Sequence, residues 1–143
     1  MHSARLLGLL LAAVVADASA ETPRSPSPAG AAAYFIAPQD GDVVPPTFTV
    51  KFGLRGMGVA PAGVDQPHTG HHHLLIDLDE EPALDQPLPT TEQVRHFGAG
   101  QTETELTLPP GRHTLQLMLG NYLHVPHDPP VRSEVITITV REP

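Results

Sequence analysis

Three adjacent histidines run straight into an apolar, β-type segment at Thr69-Gly70-His71-His72-His73-Leu74-Leu75-Ile76-Asp77. Histidine is the commonest protein metal ligand, and its neutral form is available near physiological pH. In an extended strand successive side chains point to opposite faces. The spacing therefore puts His71, His73 and Asp77 on one face and His72, Leu74 and Ile76 on the other. That arrangement is a two-imidazole edge with a carboxylate further along. Taken singly, each of these histidines reads first as a polar residue at a strand end, satisfied by backbone hydrogen bonds. The weight shifts because the chain carries nine histidines in 143 residues, and several others fall in loops.

The elements that must position them are short strands between turns rich in Gly and Pro. Residues 47–54 alternate most clearly, with Phe48, Val50, Phe52 and Leu54 set against Thr47, Thr49 and Lys51. That is the pattern of a half-buried sheet. Further strands are expected at 34–36, 71–78, 94–97, 103–108, 113–119 and 135–140. No amphipathic helix and no internal repeat stands out. About seven short strands with such turns predict an all-β fold, an immunoglobulin-like antiparallel sandwich. In that architecture three connections gather at one end of the sandwich. They are the loop after 47–54, the turn after 94–97 and the loop after 113–119. Met57 and His68 lie in the first, His96 enters the second, and His124 and His127 lie in the third. His71 and His73 start the strand just below them. His113 is expected at the opposite pole, unrelated to the rest.

An imidazole cluster of this kind suits copper, zinc or nickel. His71, His73, His96, His124 and His127 are the candidate ligands. Met57, whose thioether would suit Cu(I), and His68 are second choices. The chain has no cysteine, which excludes thiolate sites, thiol nucleophiles and a disulfide framework. Neither HExxH nor G-x-S-x-G is present. No catalytic residue is therefore assigned, and no organic cofactor is expected.

The first twenty residues read as an export signal. A basic start through Arg5 leads into an apolar run over 6–16, then Ala18-Ser19-Ala20 as a cleavage site, leaving Glu21 first. An N-terminal Glu rules out the amine-plus-imidazole copper brace that an N-terminal His could form. Residues 21–33, rich in Pro, Ala and Ser, read as a flexible linker, and 34–143 as a single domain. The expected location is periplasmic or secreted, with no transmembrane segment after cleavage. A net charge of −8 without a basic cluster argues against nucleic acid as a partner.

Several stretches together resemble a family of small exported bacterial proteins known only as a domain of unknown function. They are Gly56-Met57-Gly58-Val59-Ala60-Pro61-Ala62-Gly63, Thr69 to Asp77 as quoted above, and His96-Phe97-Gly98-Ala99-Gly100-Gln101-Thr102-Glu103. Leu108-Pro109-Pro110-Gly111-Arg112-His113-Thr114-Leu115-Gln116-Leu117 and His124-Val125-Pro126-His127-Asp128-Pro129-Pro130 complete them. Ala99 departs from the glycine expected there. The resemblance implies export and one domain, and no activity.

The sequence thus favours an exported sandwich that binds a transition metal, copper first and zinc next, for periplasmic sequestration or delivery to a periplasmic protein partner. One rival is a metal-free interaction module whose histidines form a hydrogen-bond network tying the loops together. The other is a small metalloenzyme, for which Asp77 and Asp128 are the nearby general-base candidates.

Overall fold

The alternation in residues 47–54 comes out as a strand whose side chains divide by face: Phe48, Val50 and Phe52 are buried, while Thr47, Thr49 and Lys51 are exposed. In the computed structural model, which describes residues 22–143, nine strands follow in order. They are β1 (Ala32–Ala37), β2 (Val43–Val44), β3 (Thr47–Arg55), β4 (Gly58–Val59), β5 (Thr69–Ile76), β6 (Val94–His96), β7 (Glu103–Thr107), β8 (Gly111–Gly120) and β9 (Ile136–Val140). The export signal expected over 1–20 lies outside the described residues. Among the described residues no helix is long and apolar enough to cross a membrane.

Two sheets form the sandwich. One is the antiparallel trio β1-β3-β7. The other runs β2-β9-β8-β5-β4, with β6 also paired to β5. Between them lies one core that includes Val50, Phe52, Phe97, Leu115, Leu117 and Ile138. All seven expected strands are present, and the two additions, β2 and β4, are two-residue edge strands pairing in parallel. Such short edges protect a sheet from unwanted strand pairing.

β5 differs from its neighbours. Every residue from Gly70 to Ile76 is buried, so both of its faces are covered. Leu74 and Ile76 join the core between the sheets. Leu75 faces outward instead, into a second apolar cluster with Leu88, Val94 and Met118. The loops after β5 and β8 thus roof the outer face of the sheet. β5 also ends at Ile76, two residues short of the expected end at residue 78. Asp77 adopts a left-handed backbone (φ 52°), tolerable for Asp, and this takes it out of the strand.

Residues 23–27, part of the stretch 21–33 that reads from composition as a linker, are hydrogen-bonded along the loop after β8. Ser27 N–H donates to the Asp128 carbonyl (3.1 Å), and Asp128 N–H to the Ser25 carbonyl (3.0 Å). Proline removes donors from this segment but leaves its carbonyls and its Ser and Arg side chains free to bond.

His72 sits on the core side of β5. It is fully buried, its ring centroid lies 5.2 Å from that of Phe52, and neither ring nitrogen has a hydrogen-bond partner. Burying a polar group without a partner costs about 1–3 kcal/mol by mutational measures. Leucine is close in volume and brings no polar atom. His72→Leu is therefore expected to stabilise the protein by about 1–2 kcal/mol, read as a rise in denaturation midpoint. A loss of stability in that variant would show that the His72 nitrogens do have a partner.

Candidate metal centre

Period-two alternation in β5 sends His71 and His73 to the outer face, opposite His72. Sheet register then supplies the next ring. β6 pairs antiparallel with β5 so that His73 faces His96, while on the other side His73 faces Met118 of β8. One ligand atom from each of His71, His73 and His96 can be chosen so that all three lie within 4.8 Å of one another. The loop after β8 brings His124 over them. Its ring centroid lies 4.6 Å from that of His96, 4.9 Å from that of His71 and 6.1 Å from that of His73. Four imidazoles from two strands and one loop therefore form one cluster, with ring centroids 4.6–6.1 Å apart.

Close approach needs missing side chains. A Cβ on Gly120 would stand 2.7 Å from the His73 ring and 3.2 Å from the His124 Cα. A Cβ on Gly98 would collide with the His96 ring. Glycine at these two positions lets the rings fold against the backbone.

Asn121 shapes the loop that carries His124. Its side-chain oxygen accepts from the N–H groups of Leu123 (2.9 Å) and Val125 (3.0 Å). The His124 N–H donates to the Asn121 carbonyl (2.8 Å), closing a tight turn in which His124 takes a positive φ of 68°. An Asn that bonds the backbone just ahead of it is a recognised turn device. Asn121 carries a turn signal in the sequence, but nothing there ties it to a histidine site.

The rings are almost unbonded. His71 and His73 are completely buried, and neither nitrogen of either ring finds a hydrogen-bond partner. The Nε2 of His96 is in the same state. Burial, followed by repulsion from His124 and His96, lowers the His71 pKa from 6.5 to about 4. Burial, with repulsion from His71, His96 and His124, lowers that of His73 to about 3. A contact with the His71 backbone, short of hydrogen-bond geometry, works weakly the other way. His96 is also lowered, by burial first and His124 second. These are neutral imidazoles with lone pairs to give, the state that a metal requires.

The other residues singled out in the sequence lie elsewhere or are engaged. His127 is buried beside the cluster, but its Nε2 meets the Thr69 carbonyl at 3.1 Å, and its Nδ1 has no partner. His68 is exposed, with φ 56°, and lines a surface hollow with Ser25, Pro26 and Asp65. Met57 is half-buried in the turn between β3 and β4. His113 lies apart, as expected. Its Nδ1 meets the Asp77 carboxylate at 2.7 Å and its Nε2 the Pro109 carbonyl at 2.8 Å. Burial opposes charge on this ring, but the bonds to Asp77 and Pro109 outweigh it and raise the pKa.

That pairing occupies Asp77, whose other oxygen accepts from the Thr114 N–H (2.9 Å). Asp128 has an exposed carboxylate whose ionic partner is Arg24, at 3.8 Å. Both carboxylates considered as general bases are thus committed outside the ring cluster. A broad cleft of about 580 Å³ lined by Asp79, Glu80, Glu81, Arg132 and Glu134 contains none of the histidines.

Residues 50–141 match the family described as Domain of unknown function (DUF4399), as the motifs implied. No curated protein and no solved structure matches the chain.

The depressed pKa values set a pH dependence. Below about pH 6.5 the unfolded chain takes up protons that the folded His71, His72 and His73 refuse. Stability of the metal-free protein should therefore fall as the pH drops from 6.5 towards about 4. His113 acts in the opposite sense: its contribution is complete below about pH 6.5 and is lost as pH rises through its raised value. Three rings outweigh one. The thermal midpoint should drop by about 5–10 °C between neutral pH and about pH 5, measured by circular dichroism. A flat profile would mean that the three rings accept protons within the fold.

Proposed function

We propose that this chain, which belongs to the DUF4399 family, binds one transition-metal ion through an all-imidazole site built from His71, His73, His96 and His124. The observation that carries the reading is the set of buried, unpartnered nitrogens on His71, His73 and His96, close enough for shared ligation. A metal about 2.0–2.1 Å from each nitrogen would draw them to about 3.3 Å apart, a movement within reach of small ring rotations.

The donor set ranks the metals. With neither thiolate nor carboxylate in the set, copper and zinc are the natural choices. Copper comes first, because Cu(II) exceeds Zn(II) in affinity at a given nitrogen site. The role that suits such a site is sequestration or delivery. Four protein nitrogens would close a tetrahedral sphere around zinc or fill the plane of a tetragonal one around Cu(II), and neither carboxylate, Asp77 or Asp128, is free to serve as a general base beside it. The signal-like first twenty residues support a periplasmic setting for that role, with a protein partner to receive or supply the ion.

Calorimetric titration of the untagged protein with Cu(II), Cu(I) and Zn(II) tests the reading. One-to-one binding of Cu(II), weakened at least about 100-fold in a His71→Ala/His124→Ala variant, is the expected result. Binding that is weak and unchanged in the variant would discard the metal site.

A further inference from the structure

The loop that carries His124 is held from outside by the segment ahead of β1. Arg24 is the centre of this contact. Its Nε donates to the Pro126 carbonyl (3.2 Å), its guanidinium also donates to the His127 carbonyl, and it faces the Asp128 carboxylate at 3.8 Å. The Ser27 hydroxyl donates to the Pro129 carbonyl (2.6 Å), and Pro26 bridges in parallel to Asp128. One arginine thus bonds the two successive carbonyls on either side of the His127 Cα, just past the His124 turn.

A second link reaches the turn itself. Asn121 is 1% exposed. The Nδ2 of its side chain donates to the Pro23 carbonyl (3.2 Å) and the Ser25 hydroxyl (3.1 Å). Its Oδ1 accepts from Leu123 and Val125, the two neighbours of His124. One amide therefore joins the N-terminal segment on its donor side to the histidine turn on its acceptor side. Hydrogen bonds of a shared amide are coupled, because losing one set frees the group to rotate and weakens the other.

We propose that residues 22–28 are a strap that positions His124 through Asn121 and Arg24, so that lifting the strap releases one arm of the metal site. This rests on the metal reading above. The rings of His71, His73 and His96 can rotate, but their backbones stand on paired strands and cannot shift without breaking sheet bonds. His124 stands on a loop outside the sheet ladders, fixed by the strap, by its own turn, by the Gly120–Pro126 bridge, and by bonds from the Leu88 N–H to the His124 carbonyl (2.9 Å) and from the Gly63 N–H to the Tyr122 carbonyl (3.0 Å). The loop is thus the part of the site that can open, and Arg24 and Asn121 are positioning residues, not ligands.

Two substitutions separate the strap from the fold. Arg24→Ala removes the outer clamp. Asn121→Asp keeps an oxygen for the Leu123 and Val125 amides but loses the donor to Pro23 and Ser25. The metal-free proteins are compared by hydrogen exchange at Leu123 and Val125, and the Cu(II)-loaded proteins by electron paramagnetic resonance and by transfer of copper to excess EDTA. Both variants should keep one-to-one copper, exchange those amides at least about tenfold faster, shift the copper hyperfine splitting and release the ion at least about tenfold faster. Exchange, spectrum and release unchanged in both variants would overturn the strap. Faster exchange with an unaltered spectrum and release would also overturn it, because the loop would then move without carrying a ligand. Absence of copper binding by the unsubstituted protein would overturn the metal reading, and with it the strap's role in metal release, while the exchange data would still report the loop's fixing.

Discussion

Imidazole nitrogens buried without partners are the constraint around which this structure is organised. His71 and His73 are fully enclosed, and none of their four nitrogens bonds to protein. Burial without compensation is expensive, and four neighbouring rings add mutual repulsion whenever one takes a proton. A metal would use one nitrogen on each ring and convert the cost into binding energy. The second nitrogens of His71 and His73 would still lack a protein partner. The histidine network imagined as a tie between loops is not what holds them. Backbone bonds and Asn121 do that, and His127 alone of the outer-face rings bonds to the backbone.

The fold meets this constraint by making β5 a strand covered on both faces. Its core-side residues Leu74 and Ile76 anchor it between the sheets, while Leu75 packs outward with Leu88, Val94 and Met118. That outer cluster fixes the floor from which His71 and His73 rise. β8 supplies the other wall, and Gly120 at its end lets the next loop turn back over the rings. A rigid sheet thus holds three of the imidazoles, and a loop brings the fourth.

The two ends of the molecule treat histidine in opposite ways. At one pole burial and neighbouring rings keep imidazoles neutral. At the other, His113 bonds through one nitrogen to the Asp77 carboxylate and through the other to the Pro109 carbonyl. Both partners are acceptors, so the ring meets them fully only when it carries two protons. The same side chain keeps its nitrogens unbonded in one place and has its charged form favoured in the other. The difference lies in what surrounds it, an acceptor pair or other imidazoles.

Strand positions were legible because alternation is local: Phe48, Val50 and Phe52 mark a buried face without knowledge of what covers it. The same rule placed His71 and His73 on one face, and the ordering of strands in a sandwich placed His96 and His124 near them. Asp77 escaped the rule, because a single left-handed residue ended the strand before alternation could reach it. The bonding of residues 22–28 to the loop after β8 was also hidden, since about a hundred residues separate Arg24 from Pro126 and no local pattern encodes such a pair. The sequence by itself determined the strands, the outward face of the histidine run and the absence of thiolates. Only the tertiary structure decided that β6 lies against β5, that the His127 Nε2 is already taken and that the remaining rings stand without partners. Those outcomes depend on register and burial between distant segments, which side-chain order alone does not specify.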